Sequence, residues 1–198
     1  MAAVMAAVVM AAVVMAAVVM AIAIRLLQTA EWRSGGPVEE LPLSVAFLPY
    51  EAGTSFSDGW ITVKVGNVEG AIIRGVVVTS SEGHFITLGE PLVAGPSRQF
   101  NMFQNLQGYP PTDSRFGPLE PAIGATIPPG PMGLELLIGL RIERDEYAVR
   151  DSVTIRYTVG GRKYQTTVPY RIVFCPSTMT EAGCEERFYS SALWDAPS

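Results

Sequence analysis

Residues 153–168 have the sequence VTIRYTVGGRKYQTTV, in which two runs of alternating apolar and polar residues flank two glycines. Adjacent glycines accept the positive φ angles of a two-residue turn, so Gly160 and Gly161 predict a tight β-hairpin. One face of this hairpin is apolar and aromatic and the other is polar, so we expect it to cover a core on one side only. The predicted register pairs Tyr157 with Tyr164, Ile155 with Thr166, Val153 with Val168, Arg156 with Gln165 and Thr154 with Thr167.

Period-two alternation continues on the N-terminal side of the hairpin. Residues 72–79 are rich in β-branched side chains, which predicts a strand that is either buried on both faces or bulged at Gly75. We expect no helix of ten residues after Gly36. Seven or so short strands predict an all-β domain, an immunoglobulin-like antiparallel β-sandwich, although the Cys…Trp…Cys spacing of true immunoglobulin domains is missing. The other predicted strands cover residues 43–47, 61–65, 85–88 and 134–142.

The first 24 residues carry no charged or polar side chain. A helix of that length measures about 36 Å, longer than the ~30 Å hydrocarbon core of a bilayer. Residues 1–24 therefore predict a transmembrane α-helix, with a cleaved signal peptide as the alternative. Methionine recurs at nearly regular intervals up to Met20, and this repeat has two interpretations: a natural low-complexity anchor, or a stand-in sequence for residues 1–20.

Three segments follow from this reading. Residues 1–24 form the anchor, residues 25–36 form a juxtamembrane segment and hinge, and residues 37–198 form the β-sandwich domain. Arg25 and Arg33 would by the positive-inside rule hold the end of the anchor in the cytoplasm, whereas the cysteine pair favours an exported domain. The many arginines and two lysines are typical of a GC-rich bacterial genome. We expect a single-pass protein of the bacterial cytoplasmic (inner) membrane, with its β-domain on the periplasmic or extracellular side.

Cys175 and Cys184 are the two cysteines of the chain and lie nine residues apart. A pair at this spacing in an exported domain is usually bonded, which predicts a disulfide. Free structural thiols and a metal site are the alternatives.

Residues 90–131 interrupt the strand pattern and hold nine of the fifteen prolines. A long irregular loop that is rich in aromatic residues should be ordered against something. It packs either on its own sandwich or on a partner protein. The candidate partner-binding residues are Phe100, Met102, Phe103, Leu106, Tyr109 and Phe116.

No catalytic, cofactor-binding or metal-binding motif is apparent, so we expect no enzyme activity, no cofactor and no metal. His84 is the single histidine and should be an exposed turn residue. The acidic stretch Glu143, Asp145, Glu146 and Asp151 lacks the spacing of a calcium-binding loop, so we interpret it as a solvated connection between strands. The net charge of −5 argues against nucleic acid as a partner.

These features favour a non-enzymatic accessory or scaffolding subunit of a larger membrane protein complex, of which an energy-transducing assembly, respiratory or photosynthetic, is one kind. Its partners would be the other subunits, and the lipid bilayer through residues 1–24. One alternative is a filament subunit of the pilin or archaellin kind, with an apolar N-terminal helix and an outward β-domain. The other is a solute- or carbohydrate-binding domain on a tether.

Overall fold

A computed structural model describes residues 31–39, 43–95, 105–112 and 114–191. The chain divides into two compact units, Met1–Trp32 and Arg33–Ser198. The predicted anchor at residues 1–24 lies outside the described residues, and no helix within the described ranges is long and apolar enough to cross a bilayer.

The second unit contains two β-sheets, which confirms the expected all-β, sandwich-like fold. The larger sheet consists of β1 (Arg33–Ser34), β2 (Ser44–Pro49), β4 (Ala71–Glu82), β8 (Thr126–Ile127), β10 (Ala148–Val159), β11 (Arg162–Val168) and β12 (Tyr170–Cys175). The smaller sheet consists of β3 (Ser55–Val63), β5 (Ile86–Ala94), β6 (Asn105–Gln107), β7 (Leu119–Pro121) and β9 (Leu134–Arg141).

β10 organises the larger sheet. One side of β10 pairs with β4, and the other pairs with β11 and then with β12. Two pairings are parallel, β1 with β11 and β2 with β12, so the sheets are not antiparallel throughout as expected. The reason is the direction of the chain: residues 33–34 run alongside residues 164–165, and residues 44–49 alongside residues 170–175, each pair in the same direction.

The hairpin of β10 and β11 has the predicted register at all five predicted pairs. Its apolar face lies in the core between the sheets, where Val153, Ile155 and Tyr157 are fully buried. Tyr157 and Tyr164 stack with their ring centroids 5.7 Å apart. The two glycines of the turn both have positive φ angles, as the hairpin requires.

β4 contains the bulge that was one of two interpretations of residues 72–79. Gly75 lies opposite Arg156, and Ile73 lies opposite the next residue, Tyr157, so Arg74 is the extra residue. The bulge shifts the inward positions along the strand, and Ile73 and Val76 both reach the core.

The segment 90–131 is more regular than the sequence predicts. β5 continues to Ala94, and β6, β7, β8 and a short 3-10 helix at Ser114–Phe116 follow. β5 extends well beyond the predicted strand at 85–88, and within the described residues it lies between β9 and β7. β7 contains Pro121 and lies at the edge of the smaller sheet, where a missing N–H group is tolerated.

An α-helix, α1 (Glu181–Ser190), follows β12, so the expectation of no ten-residue helix was wrong. Its sequence EAGCEERFYS is mostly polar and has no strong helical periodicity. Thr180 caps the helix by accepting a hydrogen bond from the Gly183 N–H at 3.1 Å. Cys184 and Phe188 are its buried residues. Tertiary contacts therefore stabilise a helix that the local sequence pattern does not predict.

Candidate interaction surface

The predicted disulfide between Cys175 and Cys184 is present. It joins the last strand, β12, to α1, and both cysteines are buried. The bond holds α1 against the outer face of the larger sheet, where it covers a small apolar cluster separate from the core between the sheets. The buried members of this outer cluster are Tyr147, Val149, Val173, Cys175, Cys184 and Phe188.

Two arginines flank the outer cluster and contact its aromatic rings. Arg187 of α1 forms an ion pair with Glu82 and lies 4.1 Å from the centroid of the Tyr147 ring. Arg171 of β12 forms an ion pair with Asp151 at 3.8 Å and lies 5.9 Å from the Phe188 ring. The disulfide and two arginine–aromatic contacts therefore stabilise the outer cluster.

Burial raises the pKa of Tyr147 to about 12, and the carboxylate of Glu82 acts in the same direction while Arg187 opposes it. The hydroxyl is buried without a hydrogen-bond partner among the described residues. Because desolvation is the largest cause of the raised pKa, the Tyr147 phenol is protonated and neutral at physiological pH.

The strand beside this cluster, β2, has the sequence SVAFLP and carries no charge. Along β2, Ala46 and Leu48 face the main core, and Val45 and Phe47 face the outer cluster. Both faces of β2 are thus apolar, which is unusual for a strand at the end of a sheet.

β2 pairs only with β12 within the described residues, so its second backbone edge is open there. The N–H groups of Ser44 and Tyr50 donate to carbonyls of Pro169 and Cys175 on the β12 side, at 3.4 and 3.3 Å. Because backbone groups alternate along a strand, the N–H groups of Val45 and Phe47 point to the open edge. Pro49 has no N–H group and ends this row of donors.

Exposed apolar side chains lie next to the open edge. Leu43 is 42% exposed just before β2, and Tyr189 of α1 is 49% exposed. The ring of Tyr189 lies 6.0 Å from Phe47, and Phe47 meets Phe188 edge to face at 5.6 Å. We call β2, Leu43 and Tyr189 the β2 edge surface.

The candidate partner-binding residues of the 90–131 segment do not form one exposed patch where they are described. Phe116 is 1% exposed and packs with Ala94 and Leu137, and Leu106 packs against the same cluster. The Tyr109 hydroxyl donates to the Glu90 carbonyl, and burial raises its pKa to about 12. Its ring lies on Gly139, where a Cβ would approach the ring within 2.5 Å. Phe100, Met102 and Phe103 lie outside the described residues, and partner contact by these three stays a prediction.

The core between the sheets contains an ion pair that the sequence did not reveal. Asp58 on β3 contacts Arg150 on β10, and both side chains are completely buried. Arg150 also donates to the Tyr170 carbonyl at 3.1 Å, and the Trp60 N–H donates to Asp58 at 3.3 Å. Burial raises the pKa of the Tyr170 phenol, whose ring lies 5.0 Å from the Arg150 guanidinium.

β-Bulges explain why these charged residues point into the core. On β3, Phe56 and Asp58 face inward before an irregularity, and Ile61 faces inward after it. On β10, the register shifts on both sides of Arg150, so inward positions change from even to odd numbers before Val153. Each charged residue is the last inward position before its strand changes phase. Because the pair has no exposed surface, its role here is to join the two sheets.

Other candidate chemistry is dispersed. His84 is an exposed turn residue, as expected, and its Nδ1 lies 3.4 Å from Glu146. Asp145 accepts hydrogen bonds from the N–H and hydroxyl of Ser177 at 2.8 and 3.0 Å, so it fixes the turn before α1. Within the described ranges, no group of three or more histidine, cysteine or acidic side chains could hold a metal ion.

No protein-family model matches the chain, and no curated protein or solved structure is significantly similar to it.

Proposed function

We propose that this chain is a non-enzymatic accessory or scaffolding subunit of a larger membrane protein complex, respiratory or photosynthetic complexes being one such kind. Residues 1–24 act as a single transmembrane helix, and an immunoglobulin-like β-domain docks on the extracytoplasmic face. The observation that carries the proposal is the β2 edge surface, an uncharged strand with one backbone edge unpaired by any described strand and with exposed apolar side chains beside it.

The disulfide supports the proposed extracytoplasmic location of the β-domain. Disulfides form and persist in exported proteins and are rare in the reducing cytoplasm. Cys175 and Cys184 are the only cysteines of the chain, and they are bonded to each other. This supports a periplasmic or extracellular position for the β-domain.

The β2 edge surface supports docking on a protein. An open apolar edge strand is a ready template for pairing with a strand of another chain, because its N–H and C=O groups need partners once water is excluded. The donors of Val45 and Phe47 and the neighbouring carbonyls would accept one strand of a partner subunit. Leu43 and Tyr189 would contact the apolar side chains of that strand.

Deletion of residues 1–24 tests the anchor. The truncated protein should be a folded, soluble monomer that no longer copurifies with the complex at ordinary concentrations, because one of two linked contacts is lost. Copurification from detergent-solubilised membranes, with mass spectrometry of the bound proteins, measures this and identifies the partners. Retention of the truncated protein as tightly as the intact chain would show that the anchor is dispensable.

Lysine substitutions test the docking edge. Leu43→Lys with Ser44→Lys places two charges at the exposed start of β2, as natural edge strands do to prevent pairing. The variant should stay in the membrane and lose the copurifying subunits. Ile123→Lys with Ile86→Lys is the matched control, because it adds the same two charges at residues that are 44% and 38% exposed and lie outside the β2 edge surface. Equal retention of the subunits by both variants would reject the edge as the docking site.

A filament subunit is the second candidate, since the same open edge could pair with a copy of the same chain. In that case the purified full-length protein assembles into fibres without other subunits, and Leu43→Lys with Ser44→Lys abolishes assembly. Electron microscopy of the purified protein separates the two candidates.

A further inference from the structure

A cleft of about 500 Å³ lies at the end of the sandwich where β2 and β12 finish and β3 begins. Its volume is within the range of small-molecule sites in proteins. The side chains that line it come from the turn after β2, from β3 and its neighbour β6, and from the turn after β12. They include Tyr50, Glu51, Thr54, Phe56, Gln107 and Ser177.

Two aromatic rings form the apolar part of the cleft. Tyr50 and Phe56 both pack on Phe174 of the core, with ring centroids 6.2 and 6.4 Å from its ring. The Tyr50 hydroxyl accepts a hydrogen bond from the Glu146 N–H and donates one to the Arg144 carbonyl, each at 2.8 Å. Both rings are therefore in place before a ligand binds, which lowers the entropic cost of binding.

Four polar side chains surround these rings. Glu51 and Thr54 belong to a tight turn, in which the Thr54 N–H donates to the Glu51 carbonyl at 3.0 Å. Gln107 is the last residue of β6, which pairs with β3. The Ser177 hydroxyl donates to Asp145 at 3.0 Å, which leaves its oxygen as an acceptor.

Three of these polar side chains are available to a ligand. Those of Glu51, Thr54 and Gln107 make no hydrogen bond or ion pair within the described part of the chain. The hydroxyl of Thr54 and the amide of Gln107 can both donate and accept, and the carboxylate of Glu51 accepts. A purely apolar ligand would leave these groups without partners, so the cleft favours a ligand with many hydrogen-bonding groups.

The charge of the cleft disfavours an anionic ligand. Glu51 contributes a carboxylate, and none of the described residues that line the cleft is basic. Two arginines follow β9 closely or end it, but Arg141 pairs with Glu143 at 3.0 Å and Arg144 lines a separate cavity with His84. An anion would therefore meet a like charge without a compensating cation.

We propose that this cleft binds a neutral saccharide. One face of a sugar ring presents C–H groups, which suit the rings of Tyr50 and Phe56, and its hydroxyl groups both donate and accept hydrogen bonds. Glu51, Thr54 and Gln107 bind those hydroxyls. An amine would use the carboxylate but would leave the donor groups of the other two side chains without partners.

The proposed saccharide site is independent of the proposed docking function. The cleft shares only Pro49, the last residue of β2, with the β2 edge surface, and it requires no membrane anchor. Loss of saccharide binding therefore leaves the copurification of partner subunits unchanged, and the two proposals fail separately.

Saturation-transfer NMR tests saccharide binding by the full-length protein in a polyoxyethylene detergent, which has no sugar headgroup. The probes are cellobiose, maltose and N,N′-diacetylchitobiose, with digalacturonate as the anionic control and choline as the cationic control. We expect at least one neutral disaccharide to bind, and both charged controls to bind at least about tenfold more weakly. No binding of any neutral disaccharide, or tighter binding of either charged control, would overturn the proposal.

Removal of the polar side chains should weaken this binding. Glu51→Ala with Thr54→Ala removes an acceptor and a hydroxyl and should raise the Kd of the bound disaccharide by about tenfold or more. Gln107→Ala should raise it severalfold. Circular dichroism checks that each variant is folded. Should the double variant not fold, the single variant decides, because the Gln107 side chain is exposed.

A second cleft, of about 330 Å³, supplies the matched control. Glu120, Thr126 and Leu134 line it at the start of β9, whereas Phe56 lies opposite Leu140 near the other end of that strand. Glu120→Ala with Thr126→Ala removes the same two kinds of side chain and should leave the Kd unchanged. Equal weakening by the two double variants would overturn the assignment of the saccharide to the first cleft.

Discussion

The core between the two sheets and the outer cluster beneath α1 are stabilised in different ways. The core depends on contacts between residues far apart in the chain, such as Asp58 with Arg150, which are 92 residues apart. The outer cluster depends on a covalent loop of nine residues between Cys175 and Cys184. Loss of the outer cluster should therefore be local, whereas loss of the buried ion pair should affect the whole domain.

The largest expected effect is on the core. Arg150→Met leaves Asp58 as an uncompensated buried carboxylate, so we expect the free energy of unfolding to fall by about 3–5 kcal/mol. The double variant Asp58→Leu with Arg150→Met removes both charges and should recover most of that loss. Urea unfolding of the protein in a mild detergent measures both. A double variant as unstable as the sum of the two single variants would show that the pair is not a coupled unit.

The disulfide should have a smaller and more local effect. Cys175→Ala with Cys184→Ala removes a short covalent loop, which we expect to cost about 2–3 kcal/mol. Hydrogen exchange should show lost protection for α1 while the amides of β10 and β11 keep theirs. Reduction of the natural protein is the control and should give the same pattern. Equal loss of protection in the hairpin would contradict the separation of the two regions.

The cap of α1 tests the same region without touching the disulfide. Thr180→Ala removes the acceptor of the Gly183 N–H, so α1 should lose about 1 kcal/mol of local stability. Hydrogen exchange of the first turn of the helix measures this. Thr180→Ser retains the hydroxyl and should retain the protection.

The smallest expected effect at neutral pH concerns Tyr147. Its hydroxyl is buried without a partner among the described residues, so Tyr147→Phe should change stability by less than about 1 kcal/mol. The stabilities of the natural protein and of Tyr147→Phe should differ more at alkaline pH. The folded-state pKa of Tyr147 is raised to about 12, so its stabilising contribution is complete below about pH 10 and is lost as pH rises towards 12.

From about pH 8 to about pH 11, the free energy of unfolding of Tyr147→Phe should therefore rise by about 1 kcal/mol relative to that of the natural protein. Urea unfolding at the two pH values measures the difference. A constant difference would mean that the Tyr147 phenol does not resist ionisation in the folded protein.

Several features could be predicted because their causes are local. The hairpin of β10 and β11 depends on two adjacent glycines and on alternation within sixteen residues, so its register and its buried face follow from the sequence. The cysteine pair follows from its count and its spacing. The bulge in β4 is one of two interpretations of residues 72–79, because a continuous run of β-branched residues fits both a bulged strand and a strand buried on both faces.

Other features have no local signal. The residues of β2 predict a strand, but its position at the edge of the sheet depends on which strand lies beside it, and β12 begins 126 residues after Ser44. α1 has a weak helical pattern and depends on Thr180, Cys184 and Phe188. The buried positions of Asp58 and Arg150 depend on bulges in two different strands.

The two-sheet class, the hairpin with its register, and the disulfide follow from the amino-acid sequence, because turn geometry and side-chain alternation act between close neighbours. The edge of β2 that has no partner strand among the described residues, and the ion pair that joins the sheets, depend on the tertiary structure. In each of these, residues far apart in the chain become neighbours through strand pairing or sheet packing. Their charge and hydrogen-bonding groups act together only once the sheets have formed.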